Sequence, residues 1–192
     1  MNELFDAIYD GDHAALGAML DADPARADAV MVETGETALM AACAIGDLRA
    51  VQVLLAAGAA TDPRDDAGET ALHIAAFAAP DPVVFALIEA GAALDVRCDF
   101  GKTPLMDAAQ EGRAEVVARL LKAGADPRAT DEEGRTALHW AIIADTDAWP
   151  VVRLLQQAGL RLDARTAAGL SGYDYLDTLD RPAIRAGLAA GG

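Results

Sequence analysis

Aromatic residues make up only 5% of this chain of 192 residues, although 53% of it is hydrophobic. Its apolar mass is therefore mostly Ala, Leu and Val, which suits small helices packed closely rather than a core built around large rings. Cysteine is almost absent. Cys43 and Cys98 stand far apart and lack metal-ligand spacing, so neither a disulfide scaffold nor a zinc site is expected. No apolar run approaches the roughly 18 residues of a membrane span, and Met1-Asn2-Glu3-Leu4 does not begin a basic region followed by a long apolar stretch. A soluble, cytoplasmic protein with no membrane partner is the expectation.

Basic residues are also scarce. Fifteen Lys and Arg face 31 Asp and Glu, a formal charge of -16. Binding a nucleic-acid backbone needs clustered cations, so nucleic acid is excluded as a partner. The acidity admits a partner with a basic surface, and it equally admits simple solubility of a large exposed surface.

Catalytic signatures are missing in the same way. The chain has no GxSxG, HExxH, GxxxxGK[ST] or GxGxxG pattern. Its carboxylates are many, with Asp65-Asp66, Asp99 and Asp131-Glu132-Glu133 each leading to a glycine, but no EF-hand loop with its ligand spacing is present. The expectation is solvated connector tips, no metal, no cofactor and no catalytic residue. A metal-dependent enzyme using this acidic row is the weaker alternative. Three histidines remain: His13, expected to be exposed near the N-terminus, and His73 and His139.

What the chain does have is a period. Gly35, Gly68, Gly101 and Gly134 are separated by steps of 33 residues, and Gly169 follows after 35. A repeat of this length marks a stacked architecture, which rarely encloses a single active site. In residues 101–133, Thr103 is placed to cap a helix through its hydroxyl, and Pro104 sits at the first helical position, where its missing N–H costs nothing. Leu105, Ala108 and Ala109 form the stripe of a short helix ended by Gly112. Val116, Val117, Leu120 and Leu121 form the broader apolar face of a second helix, and Gly124 fits a left-handed cap. Residues 125–133 are polar and turn-rich. The other units match at the same offsets: Thr37-Ala38-Leu39-Met40, Thr70-Ala71-Leu72-His73 and Thr136-Ala137-Leu138-His139 open first helices. Leu54-Leu55, Leu87-Ile88 and Leu154-Leu155 lie in second helices closed by Gly58, Gly91 and Gly159.

At these residues the chain resembles the ankyrin-repeat family, whose signature reads G-x-T-P-L-H-x-A-A followed by V-V-x-x-L-L-x-x-G-A. The likeness covers residues 35–168 closely and the flanks more loosely. It implies an all-α solenoid of stacked antiparallel helix pairs with hairpin-like connectors, as a single domain over 1–192. The units are an N-terminal cap at 1–34, repeats at 35–67, 68–100, 101–133 and 134–168, and a C-terminal cap at 169–192. Caps shield the apolar faces that an interior repeat would expose. The polar segment 21–33 runs longer than later connectors, and the two-residue insertion at 145–150, carrying Trp149, is expected to bulge as a contact loop or as simple drift. His73 and His139 occupy the slot that in the family fixes the turn by hydrogen bonding, where the other units hold Met40 and Met106. Cys43 replaces a small alanine and should be buried; Cys98, in a connector, should be more exposed.

The resemblance further implies a non-enzymatic module that binds another protein through connector tips and the exposed side of the first helices. An inhibitor or immunity-like protein masking a basic surface is a narrower version. The positions freest of the repeat's demands are Glu36, Glu69, Lys102 and Arg135 after the glycine, and Ala41, Ile74, Asp107 and Trp140 after the TxLH tetrad. Ala44, Ile45, Phe77, Gln110, Glu111 and Ile143 fall near the end of the first helix, with Asp66, Asp99 and Glu132 at the tips. Trp140 and Phe77 are the expected anchors, because large aromatics not needed for stacking suit interfaces; packing between neighbouring first helices is their bland alternative. Glu36 and Glu69 against Lys102 and Arg135 also make the candidate surface change sign along the chain. A monomer is expected.

Overall fold

The computed structural model describes residues 3–144 and 148–190. Among the described residues there are twelve α-helices and no strands beyond two isolated bridges. They separate into two compact units, Met1–Ala93 and Leu94–Gly192. The first contains α1 (Glu3–Tyr9), α2 (His13–Ala22), a 3-10 turn (Pro24–Asp28), α3 (Ala38–Ala44), α4 (Leu48–Ala56), α5 (Ala71–Ala78) and α6 (Asp81–Glu89). The second contains α7 (Pro104–Gln110), α8 (Ala114–Ala123), α9 (Ala137–Ile143), α10 (Trp149–Gln157), α11 (Gly172–Thr178) and α12 (Pro182–Ala190). Each unit is thus three helix pairs. Among the described residues no helix is long and apolar enough to cross a membrane.

The pairs stack in two rows. In the first unit α1 packs on α3 and α3 on α5, while α2 packs on α4 and α4 on α6. The second unit repeats this, with α7, α9 and α11 in one row and α8, α10 and α12 in the other. One leucine per helix fills each layer: Leu39, Leu54, Leu72 and Leu87 in the first unit, and Leu105, Leu120, Leu138 and Leu155 in the second, all at most 1% exposed. Removing such a side chain costs about 2–5 kcal/mol, because the stack collapses only partly into the cavity.

The first helices start as their sequences require, by two chemistries. Thr37 Oγ1 accepts from the Met40 N–H at 3.2 Å, the expected side-chain cap. In α5 and α9 the histidine takes part instead: His73 Nδ1 accepts from the Thr70 N–H at 3.1 Å, and His139 Nδ1 from the Thr136 N–H at 3.1 Å. Thr103 departs from expectation. Its hydroxyl caps nothing and has no hydrogen-bond partner among the described residues. Pro104 already presets the first turn, and the Met106 N–H donates to the Thr103 carbonyl at 2.9 Å. Gly124, at φ +105°, provides the left-handed cap expected of it.

Three other expectations are corrected. His13 is half-buried, with Nε2 2.6 Å from Asp47 Oδ2, and so ties α2 to the start of α4. Cys98 is 5% exposed and buried like Cys43, whose thiol burial pushes up to about 12 and leaves unreactive. The third concerns Trp149. A Cβ built on Gly187 would fall 2.1 Å from the Trp149 ring, so the indole lies directly over the Gly187 backbone and joins α10 to α12. It is a packing residue between α10 and the last helix pair. Of the rest of the proposed bulge, Ala148 and Pro150 belong to the start of α10, and Asp145, Thr146 and Asp147 lie outside the described residues.

Candidate interaction surface

The connectors determine what the first helices can present, and their carboxylates are built into them. Asp65 Oδ1 accepts from the N–H groups of Ala67 (2.9 Å) and Glu69 (2.8 Å), and Asp131 Oδ1 from those of Glu133 (3.0 Å) and Arg135 (2.8 Å). Asp28, Asp62 and Asp95 reach the next connector instead, accepting from the N–H of Ala60 (2.8 Å), Ala93 (3.0 Å) and Asp126 (2.9 Å). The acidic row is therefore only partly solvated tips. Asp131 is 4% exposed, whereas Asp66, Asp99 and Glu132 face solvent. Among the described residues no group of three or more His, Cys, Asp or Glu side chains is placed to hold a metal ion.

In the second unit five of the sequence-selected residues meet around one ring. Trp140, half-buried on α9, has the Lys102 Nζ 4.5 Å and the Arg135 Cζ 4.2 Å from its ring centroid. Its indole N–H donates to Asp131 Oδ2 at 3.0 Å, and Arg135 Nε donates to the same oxygen at 2.7 Å. Arg135 also reaches Glu133 Oε2 at 2.5 Å. Lys102 is held from α7, with Nζ 2.5 Å from Asp107 Oδ1 and 2.7 Å from Gln110 Oε1. Each cation over the ring contributes about 0.5–2 kcal/mol according to its exposure. The charge pairs beneath fix both cations, so the indole is presented with little freedom left to lose on binding.

Two assigned roles change here. Asp107 is 4% exposed, so it positions Lys102 from below rather than offering its own surface. Asp131, which sequence reasoning placed among solvated tips, organises the cluster through the indole, the guanidinium and two backbone N–H groups. The signal for it is its offset of four residues from Arg135, the same offset that separates Asp65 from Glu69. Ile143 is half-buried, and its carbonyl accepts from Arg181 at 2.8 Å.

In the first unit the candidates are more dispersed. Phe77 on α5 is 46% exposed and Ile45, which ends α3, is 45% exposed, while Ile74 is half-buried and Ala41 is wholly buried. Glu36 is half-buried and hydrogen-bonded by the Tyr9 phenol; burial, then the charge of Asp65, raises its pKa. Glu69 is half-buried beside its Asp65 turn and Asp66 is exposed. Sequence reasoning missed a second apolar feature. The segment 21–33, read as polar, contains Val30-Met31-Val32, which a bridge between Val30 and Thr37 folds into a small hairpin. Three consecutive apolar residues in a connector were the available signal.

The chemistry of these surfaces is that of contact. Apolar side chains are exposed and cations are pinned by carboxylates and an indole. A family model described as ankyrin repeats (3 copies) matches residues 4–97 and again 76–166. No curated protein matches the chain. Ankyrin repeats are generally protein–protein interaction modules, and typically not enzymes. With most of its length matched and its helix pairs stacked as the repeat requires, this chain belongs to the ankyrin-repeat family.

Proposed function

We propose that the chain is a non-enzymatic module that binds a partner protein with the exposed side of its first helices and the connector tips. Trp140 is the principal anchor. The observation that carries this reading is the indole held against Lys102 and Arg135 at a position the repeat framework leaves variable. Aromatic and arginine side chains with little freedom to lose concentrate binding energy at interfaces. Phe77 and Ile45 supply apolar contact in the first unit, and Asp66, Asp99 and Glu132 supply charge at the tips.

The test takes the protein cross-linked to this chain in its native cell, identified by mass spectrometry, and titrates it calorimetrically with purified wild type and Trp140→Ala. Truncation should weaken binding by about 2 kcal/mol or more, roughly thirtyfold, while the circular dichroism spectrum is unchanged. Affinity that survives the substitution removes Trp140 as the anchor.

A narrower reading, an inhibitor masking a basic protein surface, is favoured by one observation. Residues 1–93 hold 16 acidic residues against 3 basic ones, whereas residues 94–192 hold 15 against 12. A single stoichiometric basic partner would support it; several weak partners would favour a scaffold.

A further inference from the structure

We propose that a groove in the first unit, between α1 and the hairpin 30–37, takes a segment of a partner protein in which a large apolar side chain is flanked by lysine or arginine. This rests on the reading of the chain as a protein-binding module and names the chemistry of what it binds. The groove has a volume of about 770 Å³. Phe5, 2% exposed, belongs to its floor, while Tyr9 (50%), Val30 (48%) and Val32 (92%) are exposed around it. Phe5 and Tyr9 lie one turn apart on the same face of α1. A valine left almost wholly in water at a hairpin contributes nothing to the core, so the fold itself does not account for it.

Charge selects the occupant. Asp6, Asp10 and Glu33 line the groove together with the apolar groups, and no lysine or arginine does. Among the described residues neither Asp6 nor Asp10 has a cationic partner, and Asp10 follows directly on the C-terminal end of α1, where the helix dipole disfavours a carboxylate. Behind Tyr9, Glu36 stands near Asp65, and their repulsion adds to the burial that already raises the Glu36 pKa. An incoming cation relieves each of these interactions. An acidic peptide or a nucleic acid meets repulsion from 16 acidic residues against 3 basic ones in residues 1–93, and so does a second copy of this face.

The experiment pans a random phage-displayed peptide library against the full chain, then measures the enriched peptides as labelled probes by fluorescence anisotropy. Peptides with Leu, Ile, Phe or Trp flanked by Lys or Arg should be enriched. Val32→Asn, which alters a solvent-exposed side chain, should weaken them about tenfold, and Asp6→Asn with Asp10→Asn should weaken them similarly and flatten their salt dependence. Trp140→Ala should bind them as wild type does. Enrichment of acidic or uncharged sequences, no enrichment, or affinities unmoved by Val32→Asn would overturn the assignment. Those outcomes leave the Trp140 titration, which reads the binding module itself, unaffected; partner affinity that survives Trp140→Ala, with the peptides still bound, overturns only the anchor.

Discussion

At the scale of single residues, the periodic glycine and the capping glycine look alike in sequence but do different work. Gly134 has φ +74°, and a Cβ added to it would fall 2.8 Å from the Ala167 nitrogen, the same N–H that donates to the Glu133 carbonyl at 2.8 Å. Gly124 has φ +105°, with nothing within 4 Å of such a Cβ. An alanine at Gly124 therefore meets only the left-handed backbone penalty, about 1–2 kcal/mol. At Gly134 it also pushes the next connector away, and the total should reach about 3 kcal/mol or more. Urea denaturation of the two variants checks this, and equal losses would show that the connectors do not stack tightly. The aspartates divide similarly. Asp131 and Asp99 are equivalent as letters in an acidic row, yet one is a buried organiser of a turn and an indole and the other faces solvent.

At the scale of elements, the repeat that begins at α9 is joined to the following connector by a polar tie that depends on protonation. His139 Nδ1 accepts from Thr136 at the start of α9, which leaves Nε2 to donate to the Ala164 carbonyl at 3.1 Å in the following connector. Burial lowers its pKa below the ordinary 6.5, a shift that the Ala164 bond and Asp131 only partly offset. The folded state therefore binds this proton less readily than the unfolded chain does. The contribution of the neutral histidine is complete above about pH 6.5 and is lost as pH falls from there toward the lower folded-state pKa. His139→Met installs the residue found at the same offset in two other units. It should cost about 1 kcal/mol above pH 7, through the lost carbonyl bond. Its stability should then fall less steeply than that of wild type between about pH 7 and 5. Chemical denaturation across that range decides; parallel pH profiles would mean that His139 does not carry the dependence.

At the scale of the whole molecule, charge opposes compactness. A formal -16 over 192 residues, with most of the imbalance in residues 1–93, makes the folded chain repel itself. Screening should outweigh the loss of its few exposed ion pairs, each worth about 1 kcal/mol or less. Raising sodium chloride from about 0.02 M to 0.5 M should therefore raise Tm by a few degrees. A falling Tm in calorimetry would mean that exposed ion pairs such as Arg161–Asp163 matter more than net repulsion. Salt should act oppositely on binding, weakening a basic partner as it stabilises the chain.

The 33-residue spacing, the TxL openings and the paired leucines determined the helix pairs from sequence alone, because a repeat is specified by local caps and by contacts with its immediate neighbours. First-position residues such as Lys102 and Arg135 were legible in the same way, as positions the repeat leaves free. Only the tertiary structure decided what those residues meet. It brought Lys102, Trp140 and Arg135 onto one ring, buried Asp107 beneath Lys102, laid Trp149 over Gly187 and opened an apolar groove beside Val32. Those outcomes depend on which side chains face each other across stacked helices and connectors, a relation between repeats that a pattern read within one repeat does not contain.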